Sequence, residues 1–143
     1  MTLTLAQART IIDAALAKGR EEGAQPLAVV VLDAGGHPVA FAREDGASLF
    51  RFDIARAKAT GALGMGADTC VIAQRAANNP AFFQSVVAVT GGQLALSPGG
   101  VLIRISGGTV IGAVGISGDT GEMDEACACA GIAAAGLSHG VQS

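Results

Sequence analysis

The sequence predicts an α+β domain in two layers: an antiparallel sheet built from two hairpins, with flanking helices. Three observations carry this expectation. Apolar, β-branched runs come in pairs around turn residues rather than singly between helices, which favours antiparallel over parallel pairing. Segments of helical period stand before, between and after those pairs, so the order is helix, hairpin, helices, hairpin, helix. The 143 residues are half apolar and only 15% charged, which suits one core and a single domain over residues 1–143.

The first helix starts at a capping box, Thr4 with Gln7 three places on. Leu5, Ala8, Ile12, Ala15 and Leu16 then recur at helical spacing, and Gly23 stops it. In "PLAVVVLDAGGHPVAFARED" the run Leu27 to Leu32 is apolar on both faces, as in a central strand. Asp33-Ala34-Gly35-Gly36 turns the chain into a second strand from His37 to Arg43. A helix is predicted from Ser48 to about Met65, with Leu49, Phe52, Ile54, Ala55, Ala59, Ala62 and Leu63 on its apolar stripe. One or two short helices follow, with Asp68 as a cap and Asn79-Pro80 as a break. Val101 to Ile105 and Thr109 to Ile116 form the second hairpin around Ser106-Gly107-Gly108. Asp119 or Thr120 caps the last helix, "GEMDEACACAGIAAAGL", whose early Glu122, Asp124 and Glu125 suit the helix dipole and whose small residues permit close packing.

Composition excludes several classes of function. Net charge is −3 and the nine Lys and Arg residues are scattered, which gives no footprint for nucleic acid. Tyr and Trp are absent, so platforms for stacking bases or sugars are missing. The uncharged stretch before Arg104 contains Asn78, Asn79, Pro80 and Pro98, which a lipid-exposed helix tolerates poorly. The run from Ile105 to Gly118 is too short to span, so no membrane segment is expected. Cys70, Cys127 and Cys129 lack metal-ligand spacing, because residues two apart on a helix point about 200° apart. No metal and no disulfide framework are expected. The amino terminus lacks the marks of a signal peptide, and a cytoplasmic setting follows.

The glycines of "GGVLIRISGGTVIGAVGISGD" fit neither a Rossmann fingerprint nor a phosphate-binding P-loop. Gly112 and Gly115 fall inside a strand, where glycine marks a bulge or the close approach of another group. Three polar constellations remain. Arg43, Asp45 and Lys58, near Asp33, have the chemistry to clamp a carboxylate and move a proton, with Arg43 as clamp, Asp45 as base or orienter and Lys58 as acid or anchor. A structural ion-pair network accounts for them equally well. His37 has the imidazole to ligate haem, with Met65 as a second ligand, and the alternative is an exposed turn residue; His139 lies in an expectedly frayed tail. Gly118 and Asp119 open the last helix, where backbone N–H groups attract a carboxylate or haem propionate, or simply receive a cap. Ser117 lacks a nucleophile-elbow setting and Cys70 lacks a recognisable histidine partner.

"VVVLDAGGHPVAFAREDGA", "ARAKATGAL" and "GGVLIRISGGTVIGAVGISGDTGEMDEACACAGIAA" resemble the successive blocks of the GlcG/HbpS-like family, also called heme-degrading or DUF336 domains and including the C-terminal domain of PduO-type proteins. The resemblance runs from about Leu3 to Leu137. It implies a profilin-like fold and homo-oligomers, with haem binding or degradation in some members and catabolic settings in others. In haem-binding members it implies a role for a histidine of the first helix, and this first helix has none. The leading expectation is an oligomeric small-molecule-binding domain acting on a small carboxylate by proton transfer. A haem-binding or haem-sequestering protein is the alternative, and a non-catalytic assembly module the third.

Overall fold

The computed structural model describes residues 2–141. Its elements follow the expected order: α1 (Leu5–Glu21), β1 (Ala28–Asp33), β2 (Pro38–Arg43), α2 (Arg51–Met65), α3 (Thr69–Asn78), α4 (Pro80–Val89), β3 (Gly100–Arg104), β4 (Val110–Ser117) and α5 (Gly121–Ala134). The strands form one antiparallel sheet in the order β2-β1-β4-β3. Each hairpin lies at one side, and β1 and β4, the two most apolar strands, meet in the middle. Main-chain groups and side chains of both are thereby removed from water.

Alternate residues of the sheet face two different cores. Val29, Val31, Val101, Val114 and Ile116 pack with Ile11, Ala15, Cys127 and Ile132 of α1 and α5. Ala28, Val30, Leu32, Leu102 and Ala113 pack with Ala55, Ala59 and Ala62 of α2. Helices therefore cover both faces, and α2 adds a third layer to the two expected. The strand glycines make this possible. A Cβ on Gly115 would collide with the Ala55 carbonyl oxygen, so the α2 backbone rests directly on β4. Likewise a Cβ on Gly131 would sit 2.5 Å from the Ile11 carbonyl oxygen, which fixes how closely α5 lies on α1. A smaller cluster of Ile72, Ala76, Phe83 and Leu94 joins α3 and α4 to the end of α2.

Three local expectations change and one choice is resolved. α2 begins at Arg51 rather than Ser48, because Ser48 to Phe50 form a turn closed by the Arg51 N–H on the Ser48 carbonyl, and Leu49 is left 74% exposed instead of on a buried stripe. Asp68 stands at the start of α3 but makes no cap hydrogen bond there. Its Oδ1 accepts instead from the Leu102 N–H of β3 at 2.8 Å. Of the two candidate caps of α5, Thr120 is the cap, accepting from Met123 N–H. The tail after α5 is not frayed at Ser138, which exchanges two main-chain hydrogen bonds with Arg104.

Candidate functional site

Lys58 is the least expected of the candidate residues in its placement. It sits among the alanines of α2 at the sheet face, 2% exposed, and so interrupts the apolar stripe from within. Its ammonium donates to the Ile116 carbonyl at 2.8 Å and to Asp124 Oδ2 at 3.1 Å. Asp124, 1% exposed on α5, accepts with its other oxygen from the Asp119 N–H at 3.0 Å. Burial pushes the Lys58 pKa down and the Asp124 pKa up, and their mutual attraction opposes both shifts. Gly99 makes room for the pair, since a Cβ there would lie 2.9 Å from the Lys58 Nζ.

Arg43 and Asp45 are elsewhere, exposed at the end of β2. With Arg20, Pro26 and Glu44 they line a surface depression of about 420 Å³. Glu44 holds this end together: it pairs with Arg20 at 3.0 Å and accepts from the Leu27 N–H at 2.8 Å. The structure thus does not gather Arg43, Asp45 and Lys58 in one pocket, because the Lys58 ammonium is enclosed with Asp124.

His37 lies just past the β1–β2 turn, with 80% of its side chain exposed. Asp33 organises this turn: its Oδ1 accepts from the N–H groups of Gly35 at 2.9 Å and His37 at 3.0 Å, and lies 3.4 Å from His37 Nδ1. Those main-chain hydrogen bonds hold the Asp33 pKa below its ordinary value. The imidazole borders a depression of about 290 Å³ whose apolar lining includes Leu3, Val110 and Ile111. Met65 lines a different cavity, between α2 and α4, and so is not the partner of His37.

At Gly118 and Asp119 the expected anion cradle is filled by the protein's own oxygens. Asp119 Oδ1 accepts from Thr120 N–H and Oδ2 from Gln25 N–H at 2.7 Å, while Thr120 Oγ1 accepts from Met123 N–H. Two carboxylates, Asp119 and Asp124, already stand where an anion would dock. The cysteines are no better as nucleophiles. Burial pushes Cys70 and Cys129 up to about 12 and Cys127 up to about 11, keeping all three as thiols. Among the described residues no group of three or more His, Cys, Asp or Glu side chains is arranged to hold a metal ion. No helix there is long and apolar enough to cross a membrane.

Sequence reasoning missed Asp124 as the partner of Lys58, and Arg51, which donates to the buried Ser117 hydroxyl at 3.1 Å. Both pairs are 66 residues apart, and only tertiary structure joins them.

A family model described as "Haem degrading protein HbpS-like" matches residues 3–133. A comparison with curated protein sequences yields no match. Among solved structures, a haem complex of PduOC is similar at 25% identity and a TM-score of 0.87, covering 96% of this chain and 98% of that one. A double mutant of Streptomyces reticuli HbpS is similar at 28% identity and a TM-score of 0.78, with 93% and 86% covered. Klebsiella pneumoniae ORFY, a DUF336 protein, is similar at 28% identity and a TM-score of 0.85, with 95% and 92% covered.

Proposed function

Because the chain belongs to the HbpS-like family of haem-degrading proteins, we propose that it binds haem beside the β1–β2 turn, where His37 would be the residue that holds the iron. The observation that carries this reading is an imidazole 80% exposed at the edge of a depression of mixed lining, with Val110 over the buried Leu3 and Ile111 on one side and Thr2, Asp33 and Thr109 on the other. The residues fit the group. Asp33 beside Nδ1 favours the tautomer that leaves Nε2 as the coordinating nitrogen, and Leu3, Val110 and Ile111 offer apolar contact to a macrocycle. The likeness to a PduOC haem complex over nearly the whole chain supports haem as the ligand. Haem, when bound, would supply the iron chemistry, while Asp33 orients the histidine that holds it.

Titration of the purified protein with hemin tests this: a Soret shift is expected at micromolar hemin, and it should be lost in His37→Ala and weakened in Asp33→Ala. No shift in the unmodified protein, or an undiminished one in His37→Ala, counts against the site. Proton transfer on a small carboxylate through Arg43, Asp45 and Lys58 has less support, because the Lys58 ammonium is committed to Asp124 and the Ile116 carbonyl. We infer in addition that copies of the chain associate through the open edge of β2, in a cytoplasmic setting where the cysteines stay reduced.

A further inference from the structure

A cavity of about 210 Å³ lies between α2 and α4, apart from the His37 depression. Its size exceeds the roughly 150 Å³ of an engineered apolar cavity that takes up benzene. Leu94, Val86 and the Met65 thioether supply apolar wall, and sulfur against a ring edge is a favourable contact. No charged side chain lines it. Its polar groups are neutral and few: the Thr60 hydroxyl makes no hydrogen bond among the described residues, and Gln93 donates through Nε2 to the Thr90 carbonyl, which leaves its Oε1 free to accept.

Gly64 is the second observation. Glycine inside a helix costs stability and is retained where a side chain would collide with something. Gly61, one turn earlier, has such a reason, since a Cβ there would collide with the Leu94 side chain and come 3.2 Å from its Cα. Gly64 has none: it lines the cavity, yet no heavy atom lies within 4 Å of where its Cβ would be, and its backbone is ordinary helix. Gly64 is exposed, so the space beside it opens to solvent and forms the mouth of the cavity rather than a sealed void.

We propose that this cavity is a binding site for a neutral, ring-sized, mostly apolar molecule carrying one hydrogen-bonding group, seated against the bare backbone at Gly64. A charged ligand is disfavoured because nothing in the lining would replace its hydration. The site does not depend on the haem reading, and His37→Ala should leave it unchanged.

Indole and benzoate titrations followed by amide NMR on the full chain test it. Millimolar indole should shift the amides of Gly61, Gly64, Thr90 and Gln93, with little change near His37, and benzoate should not. Gly64→Leu should weaken indole binding by about tenfold or more, because the added side chain occupies the space. Should that variant fail to fold, Gly64→Ala gives the same direction with a smaller loss. Indole shifts that are absent or spread over the surface, benzoate binding as well as indole, or unchanged affinity in the folded Gly64 variants would each overturn the proposal.

Discussion

Lys58 and Asp124 show how much can depend on one pair of side chains that sequence alone does not connect. Removing either partner leaves a charge buried with no counter-ion, so Lys58→Ala or Asp124→Ala should each lose about 3–5 kcal/mol in urea denaturation. Replacing both at once, as in Lys58→Met with Asp124→Leu, should recover most of that loss, because two ions no longer need desolvation. A double variant no better than the single ones would show that the pair is worth more than its burial costs. Lys58 was legible as a cation on a helix amid alanines, but its burial was not, since the apolar stripe gives no sign that an acid 66 residues away closes over it. Asp119 and Asp33 behave differently because they are exposed enough to titrate. Main-chain N–H groups hold both carboxyls below their ordinary value of 3.8, chiefly Gln25 for Asp119 and His37 for Asp33. The unfolded chain then binds protons that the native state refuses, so this stability is complete above 3.8 and disappears as pH falls through the depressed native values. Asp119→Asn should therefore flatten the loss of urea stability between about pH 5 and pH 2, and an unaltered slope would refute the assignment.

Glycine decides how closely the elements approach, and three positions make opposite predictions. Gly115→Ala drives a methyl into the Ala55 carbonyl, and Gly131→Ala drives one against the Ile11 carbonyl, both backbone atoms that cannot swing away. Each should cost about 1–3 kcal/mol or more and lower the melting temperature accordingly. Gly64→Ala meets nothing within 4 Å and should raise stability by up to about 1 kcal/mol, since alanine is the better helix former. A uniform response of the three in calorimetry would show that helix propensity or strand preference, rather than close approach, governs them. The strand glycines Gly112 and Gly115 were legible as markers of an approaching neighbour, but not which one: at Gly115 it is α2, and at Gly112 it is the Leu32 carbonyl of β1. The hairpins were legible as well, through paired β-branched runs, apolar on both faces, and the Gly107-Gly108 turn, both of whose residues take positive φ. Helix starts were read less well. Asp68 has the chemistry of a cap, yet a strand N–H from Leu102 competes for its oxygen and wins.

At the scale of the whole molecule, the sheet has two edges in different states. The β3 edge is partly closed by the tail, where Ser138 bonds to Arg104. The outer edge of β2 has no partner strand among the described residues; Pro38 and Arg43 blunt its two ends, but Val39 to Ala42 between them carry neither proline nor charge. Beside it Phe41 is 57% exposed, its ring 4.9 Å from that of Phe52 and inclined at 59° to it, and Phe50 and Leu49 are exposed just before Phe52 in the chain. An antiparallel edge is complementary to a copy of itself turned about a two-fold axis, so a second chain docked there would satisfy the free main-chain groups and cover the aromatic shelf in one step. Phe41→Lys places a charge on that shelf without entering either core. Sedimentation velocity should show the unmodified chain larger than one copy and Phe41→Lys shifted towards the monomer, with far-ultraviolet circular dichroism unchanged. The outward-facing amides of β2, every second one between Val39 and Ala42, should exchange slowly in the first and rapidly in the second, while those bonded to β1 stay protected in both. A monomeric unmodified chain, or a variant that keeps its size and its protection, would remove β2 as the point of association.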